Sequence, residues 1–306
     1  GRALEEALPT LDFMVSLDPY INETTCHADI ILPPTSPLEH DHYDIAFHIN
    51  AVRNTARYNP PVFEPTADKL HDWEIFTALG ERVARGLGEE PKDSYPPHAM
   101  IDLGLQHGPY GRDTEHDLSL QKLREHPSGI DLGPLRPLLP ERLLTPDRQI
   151  HCAAPAALGD LARLRAAFAA PRDGATLYLI GRRHVRSNNS WMHNYHRLVK
   201  GRARDQLLVH PTDLAARGLR DGDEVELRSA SGSVTVPVEA SDEIMPGVVS
   251  LPHGYGHARR GVRLSIASDH AGVSCNDVTD AGYLDELSGN AAVNGVPVTL
   301  HAAVEA

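Results

Sequence analysis

Short apolar runs separated by turn residues dominate the chain from residue 175 onward. Within the runs apolar and polar side chains alternate, as in strands that bury one face, and pairs such as Asp221-Gly222 separate them. A short helix is predicted at 211–218, closed by Gly218. Strands are predicted at 176–180, 206–210, 224–229, 233–239, 247–251 and 295–301. Many short strands with few helices predict a closed β-barrel.

Residues 1–88 alternate strand and helix instead. Apolar runs at 11–17 and 28–32 flank a short predicted helix, for which Asn22 is the expected N-cap. The strongest helix is predicted at 68–86, where apolar side chains recur along one face. Strand, helix and strand in this order are typical of an open α/β sheet. The expected fold class is therefore an α/β segment of an open sheet followed by a six-stranded barrel.

Prolines interrupt residues 89–172 so often that regular elements longer than about ten residues are not expected there, apart from a helix at 158–169. We interpret the stretch as a crossover over the surface of the first domain, and a substrate-specific insertion is the alternative. The predicted domains are thus 1–88, 89–172 and 173–306.

Composition excludes several classes of protein. The chain of 306 residues is 41% hydrophobic and 23% charged, as in ordinary globular proteins. It has no apolar run of about 18 residues, so no membrane span is predicted. A formal charge of -13 disfavours nucleic acid as a partner. Three cysteines without a CxxC pair exclude a full disulfide framework and favour a reducing compartment, so the expected location is the cytoplasm.

The first residues contain neither a Met nor a signal peptide. Leu4 and Leu8 are spaced as in the middle of a helix, which favours a chain that begins inside a larger protein. A trimmed or processed terminus explains the same observation equally well.

A basic segment directly after the first barrel strand carries the clearest chemical signal. No acidic residue occurs between 174 and 204, and Gly181 allows a sharp turn where the segment begins. The segment contains Arg182, Arg183, Arg186, Arg197, Lys200, Arg202 and Arg204, together with the polar residues Ser187, Asn188, Asn189 and Ser190. Because the arginine fork matches phosphate oxygens, the segment predicts a pyrophosphate site. A solvated basic loop is the alternative.

Two later loops are candidates for the rest of a ligand site. The stretch 252–261 carries glycines that allow a ligand to approach the backbone closely. Its histidines, His253 and His257, would suit a metal ion only in a helix, which Gly254 and Gly256 disfavour, so no metal ligand is assigned. The stretch 273–280 has polar residues suited to a heterocycle, with a plain turn as the alternative.

Several common catalytic motifs are absent. The sequence contains no Walker A pattern, no GxGxxG after a strand, no GxSxG and no HExxH. It therefore gives no support to P-loop nucleotide hydrolysis or α/β-hydrolase chemistry, and we assign no catalytic residue.

The three loops, in this order, resemble the C-terminal domain of the molybdopterin oxidoreductases of the dimethyl-sulfoxide-reductase superfamily, which includes formate dehydrogenases and nitrate reductases. The resemblance covers essentially the whole chain. It is carried by Gly181-Arg-Arg with Ser190-Trp-Met-His193-Asn, the helix and turn at 212–225, Pro252-His-Gly-Tyr-Gly-His257, Asn276-Asp-Val-Thr279, and Ala28–Pro33 with Glu39.

The resemblance implies a double-psi barrel that covers two molybdopterin guanine dinucleotides around molybdenum or tungsten. The first loop would line one dinucleotide, and the later loops would contact pterin or guanine; for Tyr255 a core position is the alternative. The implied cofactor-binding residues are Gly181, Arg182, Arg183, Ser187, Asn188, Asn189, Ser190, His193, His253, Gly254, Tyr255, Gly256 and Asn276.

The family's 4Fe-4S cysteine motif and its metal ligand are not found in this sequence. The resemblance implies that both belong to a missing N-terminal region, which would be a partner of this chain together with an electron-transfer subunit. On this interpretation the chain is part of an oxidoreductase and is expected to be inactive alone. The alternatives are a standalone dinucleotide- or pterin-binding module without redox activity, and a barrel used for another purpose.

Overall fold

The structure, a computed structural model, describes residues 2–170 and 174–303. Contacts divide the chain into two compact units. One comprises the described residues within 1–16, 20–31 and 151–306, and the other comprises 17–19 and 32–150. The domain boundaries expected from sequence stay a prediction, and the one at 172/173 lies outside the described residues.

The strands are short throughout. They are β1 Val15–Leu17, β2 Ile30–Leu32, β3 His42–Tyr43, β4 Asn54–Ala56, β5 Tyr58–Asn59, β6 Ile130–Gly133, β7 Leu177–Arg182, β8 Leu207–Val209, β9 Glu224–Arg228, β10 Ser233–Ala240, β11 Val248–Pro252 and β12 Val296–Ala302. The helices are α1 Arg2–Ala7, α2 Asp72–Gly86, α3 Pro97–His107, α4 Leu120–Glu125, α5 Pro155–Gly159, α6 Leu161–Ala169, α7 His196–Val199, α8 Pro211–Ala215 and α9 Ser265–Ser268. None of the helices among the described residues has the length and apolar character needed to cross a membrane.

The last six strands close into a barrel in the order β10-β8-β11-β7-β12-β9. Two pairs are parallel, β7 with β11 and β8 with β10, and the other neighbours are antiparallel. The double-psi barrel expected from sequence is confirmed. All six strand predictions fall on barrel strands to within about two residues, as expected for element boundaries.

The barrel interior explains why the alternation of apolar and polar residues predicts the strands. Leu177 and Leu179 of β7, and Val225 and Leu227 of β9, are each at most 1% exposed. Successive strand residues point to opposite sides of a sheet, so every second residue lies in the core. Fully burying one such side chain contributes roughly 1.5–3 kcal/mol, and this one cluster holds the barrel together.

The N-terminal α/β expectation is met only in short pieces. β1 and β2 pair as a two-stranded sheet, and between them lies a single 3-10 turn, Thr25–His27. The N-cap of this turn is Thr24 and not Asn22, so the expected cap is wrong; Oδ1 of Asn22 instead accepts hydrogen bonds from the backbone N–H groups of Thr24 and Thr25, each at 3.0 Å. Among the described residues outside the barrel, the other sheets also have two strands each.

Two expectations about the helices need adjustment. The helix α3 is 11 residues long. The expectation that residues 89–157 hold no regular element longer than about ten residues is therefore wrong. Pro97 occupies the first turn of α3, where a missing N–H costs nothing. The helix expected at 158–169 is divided into α5 and α6 at Asp160.

Candidate functional site

Two of the predicted loops leave the barrel side by side. Arg182, the last residue of β7, pairs with Pro252, the last residue of β11, and these two strands are parallel. The backbone N–H of His253 continues the ladder by donating to the carbonyl of Arg182 at 3.0 Å. Because parallel strands end at the same edge, the loop after β7 (residues 183–195, the first loop) meets the loop after β11 (residues 253–261, the second loop).

A left-handed turn shapes the first loop. Asn188 and Asn189 have φ values of 41° and 61°, and Asn tolerates this conformation better than most residues. Ser187 is buried, and its hydroxyl donates to the carbonyl of His184 at 2.9 Å. The side chain of Arg183 donates to Oδ1 of Asn189, which links the first residue of the loop to its middle.

Glycines allow the second loop to touch both of its neighbours. A Cβ at Gly254 would lie 2.3 Å from the carbonyl oxygen of Asn189 in the first loop. A Cβ at Gly256 would lie 2.8 Å from Cβ of Ser274 in the third loop (residues 273–279). Both glycines also have positive φ values, so no other residue fits here without strain. The three loops predicted separately from sequence therefore form one structure.

These loops surround a first cavity of about 310 Å³. Its walls mix hydrogen-bond donors with carboxylates, so it can satisfy a heterocycle that presents both donors and acceptors. The predicted residues on its walls are Asn189, Ser190, His253, Gly254, Tyr255, Gly256 and Asn276. The other polar residues on its walls are Glu5, Glu23, Thr24, His257, Arg259, Ser274 and Asp277.

A second cavity of about 360 Å³ is lined by three arginines and two glutamates. His253 and Tyr255 line both cavities, so the two adjoin at these residues. The second cavity is also lined by Arg182, His184, Ser187, Arg202, Arg204, Gln206, Glu239 and Glu243. Arg202 forms an ion pair with Glu239, whereas Arg204 donates to the carbonyl of Leu198 at 3.4 Å.

Arg182 is used differently from the sequence expectation of a simple phosphate ligand. Its guanidinium donates to the carbonyls of Ser250 and Gln206, each at 2.5 Å, and to that of Arg204 at 3.3 Å. Burial lowers the pKa of this guanidinium, and nearby acidic groups offset part of that effect. Arg182 therefore joins β7 to β11 and to the segment before β8, and it forms part of the second cavity as a structural residue.

A chain of three hydrogen-bonded side chains lies behind the first cavity. Nδ1 of His193 is 2.8 Å from Nε2 of His257, and Nδ1 of His257 is 2.7 Å from Oε1 of Glu23. Both histidines are buried, at 3% and 2% exposure, and Nε2 of His193 is a buried atom without a hydrogen-bond partner among the described residues. The rings of His193 and Tyr255 are in contact, with centroids 4.3 Å apart.

The pKa values along this chain are shifted. Burial is the main cause that lowers the pKa of His193 to about 4. Burial acts to raise the pKa of Glu23, but the hydrogen bond from His257 and the charge of Arg259 outweigh it, so that pKa is lowered. At neutral pH Glu23 is therefore a carboxylate and His193 is a neutral imidazole.

Some predicted residues lie outside both cavities. Gly181 is inside β7, where its N–H donates to Oδ1 of Asn294 at 2.8 Å. Arg183 and Asn188 are exposed on the first loop, and His193 lies beneath Tyr255. Neither His253 nor His257 belongs to a group of three or more residues suited to a metal ion among those described.

Sequence reasoning missed Glu23, Arg259 and Asp277. Arg259 donates to both carboxylate oxygens of Asp277, at 2.6 and 2.8 Å. Glu23 precedes a short turn in the N-terminal part of the sequence, and nothing in its neighbours indicates a partner at residue 257. The Arg-Arg pair at 259–260 stands out in the sequence as positive charge, but the sequence predicts no partner for it.

Comparison with known proteins identifies the domain. Residues 177–297 match the family described as the molydopterin dinucleotide binding domain. The chain is similar to the probable oxidoreductase YoaE of Bacillus subtilis, with 25% identity over 78% of this chain and 34% of that protein. It is similar to the dimethyl sulfoxide/trimethylamine N-oxide reductase of Rhodobacter capsulatus, with 26% identity over 76% of this chain and 31% of that protein.

A third relative extends the similarity to most of the chain. The thiosulfate reductase molybdopterin-containing subunit PhsA of Salmonella typhimurium is 24% identical over 90% of this chain and 38% of its own length. The chain thus spans about a third of the length of these relatives. Acetylene hydratase from Pelobacter acetylenicus has a similar fold, with a TM-score of 0.57, 16% identity, and coverage of 99% of this chain and 46% of that one.

Proposed function

Since residues 177–297 are a molybdopterin-dinucleotide-binding domain of the dimethyl-sulfoxide-reductase superfamily, we propose that the three loops hold the dinucleotide part of the cofactor. In this proposal the heterocycle occupies the first cavity and the phosphates occupy the second. The observation that carries it is the close packing of the three loops through Gly254 and Gly256.

The walls of the first cavity fit a guanine-like ring. Such a ring presents N–H donors on one edge and acceptors on another, and therefore needs both kinds of partner. The carboxylate of Asp277 lies on the wall beside Asn276, and donors are available from Ser190 and His253. Glycine at 254 and 256 allows the three loops to pack closely around this cavity.

The second cavity fits phosphate groups. Arg204 lies on its wall, and its guanidinium group can make paired hydrogen bonds to phosphate oxygens, whereas Arg202 is already paired with Glu239. Arg182 adds positive charge from within the barrel mouth while its own N–H groups are occupied by carbonyls. His253 and Tyr255 would then lie between the heterocycle and the phosphates, because they line both cavities.

In the intact enzyme we propose two such dinucleotides around molybdenum or tungsten, with a 4Fe-4S cluster and the metal ligand in parts of the relatives that this chain does not span. When bound, the metal supplies the redox chemistry, moving an oxygen atom or a proton together with two electrons. This chain's own residues bind the cofactor, orient it and exclude water from it. An electron-transfer subunit and a cytoplasmic location remain part of the proposal.

Binding of guanosine 5′-diphosphate to this chain tests the assignment of the two cavities. Isothermal titration with this probe and with uridine 5′-diphosphate separates the contribution of the heterocycle to the affinity from that of the phosphates. We expect both to bind and the guanine nucleotide to bind more tightly, and we expect Asn276→Ala to remove the difference while the exposed Asn290→Ala keeps it. Absence of binding, or equal affinity for the two nucleotides, would contradict the proposal.

The second candidate function is a standalone dinucleotide-binding module, for which the paired cavities alone would suffice. The denatured mass of the native polypeptide separates the two. A mass far above 33.4 kDa supports the oxidoreductase. A native chain of about this mass would instead support the standalone module.

A further inference from the structure

We propose that Glu23 is a positioning residue: acting through His257, it fixes the proton arrangement of His193 and thereby the packing of Tyr255 between the two cavities. The buried side chains form one hydrogen-bonded line, which connects positions separated by 64 and 234 residues in sequence. The effect on cofactor binding rests on the proposed function. The positions of the hydrogens on His193 and His257 do not depend on it.

The direction of each hydrogen bond follows from the carboxylate. An ionised carboxylate only accepts, so Nδ1 of His257 must carry a hydrogen and donate it to Glu23. We assign the His257 ring this one hydrogen, so its other nitrogen, Nε2, has none and can only accept. His193 must therefore donate from its Nδ1, which leaves its own Nε2 without a hydrogen.

This arrangement matters because of what His193 supports. Its ring packs against Tyr255 at 4.3 Å between centroids and at an angle of 36° between planes. Tyr255 and His257 are two residues apart in the second loop, with their ring centroids 6.4 Å apart. A histidine with one fixed tautomer holds one ring orientation, so the aromatic wall keeps one position.

Other charged groups surround this line of residues without replacing Glu23. Arg259 acts on Glu23 and is itself paired with Asp277 and Glu5. Asp205, Arg204 and Arg182 act on Tyr255 from the segment before β8 and from the end of β7. Burial raises the pKa of Cys26 and the charge of Glu23 adds to that effect, whereas burial and the charge of Arg183 lower the pKa of His253. In the part of the chain that the structure describes, Glu23 is the carboxylate that accepts a hydrogen bond from this pair of buried histidines.

The direct test is the tautomer of each histidine in this chain labelled with ¹⁵N-histidine. Long-range ¹H–¹⁵N correlation spectra at pH 7 should show a hydrogen on Nδ1 and none on Nε2 for both His193 and His257. In Glu23→Gln the amide can either accept or donate, so the arrangement is no longer fixed. We therefore expect a second tautomer, with hydrogen on Nε2 of His193, to appear.

Glu5→Gln is the matched control. It removes one charge beside the same Arg259, at 3.4 Å, but Glu5 is not a member of the hydrogen-bonded line of Glu23, His257 and His193. The histidine tautomers in this variant should equal those of the unmodified chain. The same tautomer change in both variants, or none in Glu23→Gln, would overturn the proposal. If Glu23→Gln does not fold, His257→Phe tests the same point, because phenylalanine keeps a ring at this position but removes the acceptor that orients His193.

Titration with guanosine 5′-diphosphate adds the functional consequence. We expect Glu23→Gln to bind this probe about tenfold more weakly, the size of effect expected when one buried hydrogen-bonded group is misplaced. Affinity unchanged despite altered tautomers would contradict the role of Glu23 in positioning Tyr255. If the unmodified chain fails to bind the probe, the proposed function fails, and the tautomer spectra still decide whether Glu23 orders His193.

Discussion

A side chain at Gly254 would place its first carbon 2.3 Å from the carbonyl oxygen of Asn189. The two residues belong to different loops, one after β11 and one after β7. The absence of a side chain at residue 254 is therefore what allows the first and second loops to meet beside the first cavity.

Gly254→Ala should separate these loops. Alanine would be strained at a φ of 94° and would also collide with Asn189, so we expect a loss of stability of about 3 kcal/mol or more. Gly222→Ala is the control, since Gly222 has a φ of 86° but open space around it, and it should cost about 1–2 kcal/mol. Urea denaturation measures both values, and equal losses would show that the contact with Asn189 is unimportant.

Arg182 and Arg183 should differ although they are neighbours in sequence. Arg182→Gln removes donors from the carbonyls of Ser250 and Gln206 inside the barrel mouth, and we expect a loss of about 2 kcal/mol or more. Arg183 is exposed, so Arg183→Gln should change stability by less than about 0.5 kcal/mol. Thermal or urea unfolding distinguishes them. A small effect at residue 182 would return that arginine to the role of a plain phosphate ligand.

His193 should make the barrel unit sensitive to acid. Its pKa falls from 6.5 to about 4 in the folded chain, mainly because it is buried. Below pH 6.5 the unfolded chain binds a proton at this residue and the folded chain does not. Stability is therefore complete above pH 6.5 and falls as the pH drops towards 4, by up to about 3 kcal/mol.

Urea midpoints measured at pH 7 and pH 4.5 test this prediction. His193→Gln should lose less stability between these two pH values than the unmodified chain loses. The exposed His196→Gln serves as the control and should behave like the unmodified chain. An unchanged pH dependence in His193→Gln would contradict the assignment.

Phosphate binding should depend on Arg204 more than on Arg197. Both lie in the basic segment, but Arg204 lines the second cavity and Arg197 does not. We expect Arg204→Gln to weaken the binding of inorganic pyrophosphate about tenfold, the loss typical of one charge-assisted hydrogen-bonding partner, and Arg197→Gln to leave it nearly unchanged. Isothermal titration gives both affinities. Equal losses would indicate a diffuse basic surface rather than a site.

The sequence alone determined the architecture of the barrel unit. Alternation of apolar residues is a local property, because a strand buries every second side chain wherever it is placed. The strands β7 to β12 were therefore predicted in the right places. The glycines of the second loop were also informative, since positive φ values are a property of single residues.

Only the tertiary structure decided which side chains act together. The contact of Glu23 with His257 joins residues 234 positions apart, and no local pattern specifies such a pair. For the same reason the sequence could not reveal that Arg182 is occupied by backbone carbonyls while Arg204 lines the second cavity. Residue type and spacing define the chemistry a segment can offer. Partners, burial and hence protonation are set when the β7 and β11 loops are brought to the same edge of the barrel and the N-terminal segment packs against them.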